Sequence, residues 1–165
     1  MSIDAVKIKP KPKGLDKPCV AKILRVVSNL NVAVYRWTGG ILGSKWRVGS
    51  AFPWGVPVLL LTTIGRKSGQ PRTKPLLFIE EGDKVILWAS QGGLAKDPLW
   101  YKNLESNPEC EVQILRRKMK MRARTASHDE REAFWPKAVA HYPDLASYAT
   151  WTDRVIPMVI LEPTG

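Results

Sequence analysis

Arg66, Lys67, Arg72 and Lys74 crowd one stretch, LLLTTIGRKSGQPRTKPLLF at residues 59–78, between two apolar runs. Gly65 and Gly69 permit tight backbone turns that would direct several N–H groups inward, while the cations reach one anion from different sides. The chemistry is anion binding, with a phosphate or carboxylate as guest. The spacing departs from the nucleotide-binding pattern G-x-x-x-x-G-K-[ST]. Gln70 and Pro71 follow the second glycine and no helix signal comes next, which argues against an NTPase. A solvated basic hairpin tip is the plain alternative.

A second stretch, ASQGGLAKDPLWYKNL at residues 89–104, sets Ser90, Gly92 and Gly93 at the end of a strand-like run, where small residues let a planar ligand approach the backbone. Lys96 and Asp97 precede a helix rich in aromatics, on which Trp100 and Tyr101 serve as core anchors as readily as ligand contacts. Histidine offers little. His128 follows a helix cap and His141 ends the same helix, and the sequence holds no histidine dyad, metal set or hydrolase motif. Cys19 and Cys110 are far apart and form no C-x-x-C pair, which speaks against a disulfide framework or a zinc site and fits a reducing cytosolic setting.

The elements that must hold these loops follow from periodicity. Residues 56–63, 73–80 and 84–90 read as a strand meander joined by the basic turn and by the EGD turn at 81–83. Residues 99–106 form a short helix stopped by Asn107 and Pro108, and 110–127 a hairpin with alternating faces. Ser127 and Glu130 make a capping box for a helix to about His141, a shorter helix covers 145–151, and 155–163 supply a last strand. About six strands with peripheral helices predict a mainly β (α+β) fold, a small antiparallel barrel.

Before the barrel, residues 1–18 alternate Lys with Pro and Gly and predict a flexible basic arm. Val20, Ile23, Leu24, Val27, Leu30 and Val34 then recur at helical spacing over 19–37, stopped by Gly39 and Gly40. That amphipathic helix either packs on the core or lies on an anionic membrane surface. Residues 19–165 form a single domain. The formal charge of +11 calls for an anionic partner: nucleic acid, a membrane surface or a charged small molecule. No apolar run has the length of a spanning helix and the N-terminus lacks an apolar signal core, so the chain is expected in the cytoplasm, in solution or on a membrane surface.

Taken in order, TTIGRKSGQPRTKPL, ASQGGLAKDPLWYKNL and REAFWPKAVAHYPDLASYATWTDRVIPMVILEP resemble the deazaflavin-dependent nitroreductase family of actinobacteria, over residues 26–163. The resemblance implies a split β-barrel that uses coenzyme F-420. It implies a reductase that passes a hydride from the reduced cofactor to an electrophile such as a quinone, an activated alkene (enone) or a nitro compound. Leu61, Thr62, Arg66, Lys67, Ser68, Gly69, Gln70, Pro71 and Arg72 would hold the cofactor's phosphate and linker. Leu87, Trp88, Ala89, Ser90 and Gln91, with Trp100, would lie against the ring. The proton that follows the hydride would come from Tyr142, Tyr148, Ser90 or solvent, with Tyr142 the first choice, and Trp88, Tyr142, Leu145 and Tyr148 would wall the substrate. Two positions depart from the family pattern. Leu145 stands where nitroimidazole-reducing relatives place a tyrosine, which argues against nitroimidazole activation. Gln91 stands where they commonly carry a lysine.

Two other readings keep some of these features. FMN binds related split barrels and its phosphate also suits a basic loop. A non-enzymatic nucleic-acid-binding barrel would use the net charge, but no RRM, KH or zinc-knuckle signature appears and the tryptophans are not interleaved with the basic run. Through its arm and first helix the chain is also expected to reach the inner face of the cell membrane. The oligomeric state is left open.

Overall fold

The structure, a computed structural model, describes residues 7–14, 18–47 and 49–165. Residues 1–6 and 15–17 of the arm, and the side chains of Val20 and Leu24, lie outside the described residues.

Apolar-rich runs build a ring of antiparallel strands. β2 (Val56–Ile64) pairs with β3 (Pro71–Leu77) on one side and β6 (Glu109–Ile114) on the other. From β6 the order runs through β7 (Arg117–Thr125), β8 (Met158–Pro163) and β5 (Lys84–Trp88) to β4 (Ile79–Glu81). Phe78 alone separates β3 from β4, so a single bent strand pairs with β2 through its first half and with β5 through its second. The curled sheet thereby closes as the predicted split barrel. A two-residue strand, β1 (Lys45–Trp46), adds to β2 and has no counterpart in the sequence reading.

Strand pleat sorts the apolar side chains into separate cores. Leu59, Leu61, Val85, Leu87, Val112 and Leu161 fill the first, and α2 (Leu99–Ser106) contributes Trp100, Tyr101 and Leu104 to it. Ile86, Trp88, Met158 and Ile160 belong to the second, together with Ala138 and Val139 of α3 (His128–His141) and Leu145 of α4 (Asp144–Thr150). α3 begins with the predicted capping box: Glu130 N–H donates to Ser127 Oγ, and Ser127 N–H donates to the Glu130 carboxylate. Arg124 also grips that carboxylate with both terminal nitrogens at 2.7 Å, which holds it down at about 2.

The first helix, α1 (Pro18–Thr38), attaches by a narrow seam. Tyr35, fully buried, donates to Val58 O at 3.3 Å and accepts Leu115 N–H at 2.8 Å. Arg36 donates to Thr73 Oγ1 and Lys74 donates to Ser28 Oγ, tying the helix to β3. Ile23, Val26, Val27 and Leu30 are exposed, and Trp37 is 87% exposed. Of the apolar stripe that the sequence predicts, Ile23, Val27 and Leu30 face outward and Val34 is half-buried, while Val32 and Tyr35 contact the barrel. Cys19 lies exposed on α1 and Cys110 buried on β6, both free thiols, and burial pushes the Cys110 thiol up to about 12.

Replacing Tyr35 by Phe leaves the Leu115 N–H and the buried Val58 carbonyl without that hydroxyl. We expect a loss of about 1–3 kcal/mol in urea unfolding with unchanged m-value; an unaltered midpoint would show that the seam contributes nothing.

Candidate active site

The basic turn is a tight β2–β3 connection whose amides are engaged. Gly65 N–H donates to Gln70 O, and the N–H groups of Ser68 and Gly69 both donate to Gly65 O. Arg66 N–H donates to Asn103 Oδ1 at 3.2 Å, and Asn103 in turn donates to Thr63 Oγ1 at 3.0 Å. The expected cradle of inward N–H groups is thus corrected: the N–H groups of Gly65, Arg66, Ser68 and Gly69 are used in closing and bracing the hairpin. Arg66, Lys67, Ser68, Gly69, Gln70, Pro71 and Arg72 are all exposed. Arg72 donates weakly to Ser68 Oγ at 3.4 Å. Among the described residues none of Arg66, Lys67 and Arg72 lies in an ion pair, whereas Lys84, Arg117, Arg122, Arg124, Lys137 and Arg154 all do. Three uncompensated cations thus stand together on one exposed turn.

Behind the turn, Thr62 Oγ1 and Thr73 Oγ1 sit 2.8 Å apart across the β2–β3 pair. Leu61 points into the first core and presents no side chain to a ligand. Asn103 lies on α2, so the helix that supports the basic turn is the one into which the second loop runs.

That second loop leaves the end of β5. Leu87 and Ala89 face the first core and Trp88 the second, while Ser90 is buried and Gln91 is exposed with φ at 47°. Trp100 packs edge-on to Tyr101 within the first core, so its ring is a wall of the barrel rather than an open face. Sequence reasoning missed the residue that holds the loop. Arg154 donates to the carbonyls of Ala89 (2.8 Å), Ser90 (3.0 Å) and Leu94 (3.0 Å) and to Asp97 Oδ1 (2.8 Å). A planar fork of donors suits this convergence, and no other side chain could reproduce it. Gly93, at φ 75°, lets α4 close down on the loop: a Cβ there would stand 2.9 Å from Tyr148 O and 3.0 Å from the Trp151 ring.

The four residues named for the substrate wall are neighbours in the structure. Trp88, Tyr142 and Leu145 belong to the second core, with Tyr148 packed against it. Tyr142 is 1% exposed and Leu145 is fully buried, so both back the site; Tyr148 is the partly exposed member. The Tyr142 and Tyr148 hydroxyls are 3.0 Å apart, and the Tyr148 ring lies 5.1 Å from that of Trp151. Burial raises both phenols above their ordinary range, and the contact with Tyr142 raises Tyr148 further. They therefore hold their protons through neutral pH and can donate hydrogen bonds. A separate cavity of ≈ 230 Å³, lined by Tyr101, Leu104, Pro108, Ala123 and Thr125, shares no residue with this cluster.

The model of a family described as F420H(2)-dependent quinone reductase matches residues 27–163. An F420H(2)-dependent quinone reductase of Mycobacterium tuberculosis is 35% identical over 135 residues, 80% of this chain and 87% of that protein. A second protein of that organism, given a name of the same kind, is 44% identical over 117 residues, 71% of this chain and 98% of its own length. Among solved structures, an F420-H2 dependent reductase superposes with a TM-score of 0.61 at 44% identity, covering 64% of this chain and 94% of that one. Another, described as a domain-swapped dimer, superposes with a TM-score of 0.62 at 34% identity, covering 86% and 98%. Barrel, basic turn and tyrosine cluster stand within the matched residues, and the chain belongs to the F420H(2)-dependent quinone reductase family.

Proposed function

We propose that this protein reduces a quinone to a hydroquinone at the loop end of β5, with the basic turn holding the anionic part of coenzyme F-420. The observation that carries the proposal is the turn itself: Arg66, Lys67 and Arg72 are exposed and, among the described residues, without a carboxylate partner. The phosphate and polyglutamate tail of the cofactor match such a donor set in charge and in number of acceptors. When bound, the reduced deazaflavin supplies a hydride. A quinone that takes up a hydride also needs a proton to become a hydroquinone. Tyr148, partly exposed and hydrogen-bonded to Tyr142, is placed to donate toward the substrate's oxygen, and Ser90 is a second, more buried hydroxyl at the strand end. The protein's share is orientation and exclusion of water. Activated alkenes and nitro compounds accept the same hydride and extend the substrate class.

The outward stripe of α1 supports a location at an anionic membrane surface, where quinones reside. Val26, Leu30 and Trp37 are exposed on it, and the chain carries +11. No helix among the described residues is long and apolar enough to cross a membrane. A dimer in which copies exchange a segment is a further possibility for this chain, given the 34% identical neighbour of that description.

Replacing Arg66, Lys67 and Arg72 together by Gln should raise the Kd for F-420, read by tryptophan fluorescence, roughly 10- to 100-fold, with the thermal midpoint nearly unchanged. Unaltered binding, or a preference for FMN over F-420, would remove the turn from the account. Arg154→Lys keeps the charge but cannot bridge four acceptors. It should lose about 2–3 kcal/mol of stability in denaturant and weaken F-420 binding without touching the ligand. Leu30→Glu combined with Trp37→Glu should abolish co-sedimentation with anionic vesicles; persistent sedimentation would mean that α1 is not the contact.

A further inference from the structure

One face of α4 is built to hold a single residue of the N-terminal arm. Asp144 Oδ1 accepts from Lys9 Nζ at 2.6 Å, Ser147 Oγ accepts Lys9 N–H at 2.9 Å, and Trp151 Nε1 donates to Lys9 O at 2.8 Å. Positions 144, 147 and 151 follow the i, i+3, i+7 spacing that places side chains on one side of a helix. The ammonium, amide and carbonyl of Lys9 are all engaged by that face. Pro10 and Pro12 bias the flanking backbone toward an extended form, so Lys9 is presented on a stiff segment.

The carboxylate that Lys9 grips also borders the tyrosine pair. Its other oxygen, Oδ2, accepts Ser50 N–H at 2.8 Å and faces the Tyr142 hydroxyl at 3.5 Å, and Asp144 N–H donates to Ser50 Oγ at 3.2 Å. Gly49, at φ 66°, lies so close that a Cβ would collide with Oδ2 and stand 3.3 Å from the Tyr142 hydroxyl. Asp144 is thus fixed by the arm, by the turn at Gly49–Ala51 and by the tyrosines. Its side chain is 9% exposed, and a carboxylate so enclosed needs a counter-charge. Lys9, 48% exposed, is the cation that supplies it.

We infer that Lys9 is a positioning residue for the reaction: by pairing with Asp144 it straps the arm over α4 and fixes Tyr142, and through Tyr142 the hydroxyl of Tyr148, at the substrate's edge. This rests on the functional reading above. Loss of the pair removes the counter-charge that holds Asp144 in place, and a shift of its carboxylate withdraws the acceptor that faces Tyr142. The cofactor turn, held by Asn103 and β2, is not in this network.

The test uses the full chain with Lys9→Met, Lys9→Arg and Ser147→Ala, and two kinds of readout. Steady-state reduction of a water-soluble naphthoquinone by reduced F-420 should show Lys9→Met with kcat lowered about tenfold, KM little changed and F-420 Kd unchanged, and Lys9→Arg back within about twofold of wild type. Hydrogen exchange of the arm peptide, which needs no turnover, should show its amides protected in the wild type and exchanging faster in both Lys9→Met and Ser147→Ala. An unchanged kcat in Lys9→Met, or a Lys9→Arg variant as slow as Lys9→Met, overturns the positioning role. Absence of protection in the wild type overturns the strap. A wild type with protected arm that binds F-420 yet reduces no quinone overturns the functional reading and the positioning role with it, while leaving the strap established.

Discussion

The pleat of β5 determines what each side of the site is made of. Val85, Leu87 and Ala89 go to the first core, Ile86 and Trp88 to the second, and the register Leu87↔Val159 and Trp88↔Met158 holds them there. A slip of one residue would exchange the sets and destroy both cores, so the register is strongly fixed. Past Ala89, whose N–H donates to Pro157 O, the carbonyls of Ala89 and Ser90 pass to Arg154. A guanidinium thus caps the strand where a further ladder partner would otherwise be required, and the loop end of β5 is fixed in place.

Most of the barrel was legible because its signals are local. β-rich runs bounded by turns marked β2 and β5, alternation marked β6 and β7, Asn107 and Pro108 marked the end of α2, and Ser127 with Glu130 marked the start of α3. The run at 73–80 reads as one strand, and in pairing it is one, but its bend at Phe78 depends on the two partners it must reach. For α1 the periodicity revealed a stripe without revealing what the stripe faces. The site divides in the same way. Its cations were legible from type and spacing, whereas the fate of the amides was not, because it depends on how the hairpin closes. Arg154 and Lys9 act on partners 57 to 65 and 135 to 142 positions away, and no periodicity carries that information. The arm, with too few apolar side chains to pack, is nonetheless fastened at Lys9 by polar contacts.

The net charge of +11 acquires its meaning from where the carboxylates stand. Glu80, Glu81, Glu109, Glu130 and Glu162 each answer a cation on a neighbouring strand or helix. Such exposed pairs contribute little stability individually. Their consequence is local: they offset Arg117, Arg122 and Arg124 on β7 and Lys137 on α3, while Lys118 and Lys120 of β7 stay exposed and outside any ion pair among the described residues, as do Arg66, Lys67 and Arg72 clustered at the turn. A concentrated cluster of this kind suits a compact polyanion better than a nucleic-acid backbone, which requires cations spaced along a track.

Leu145 shows how an apolar substitution shapes a polar site. It is fully buried in the second core, where a hydroxyl would need a partner of its own or cost stability. The neighbouring hydroxyls are already committed, Tyr142 to Tyr148 at 3.0 Å and, more loosely, to Asp144. Leucine therefore leaves the phenol pair self-contained and adds no further donor to the wall. Under the proposed function such a wall favours a flat, largely apolar ring whose oxygens lie at its edge, within reach of Tyr148, over a heterocycle with acceptors distributed across its face. The distinction comes from the number of donors and their positions, and charge at the basic turn plays no part in it.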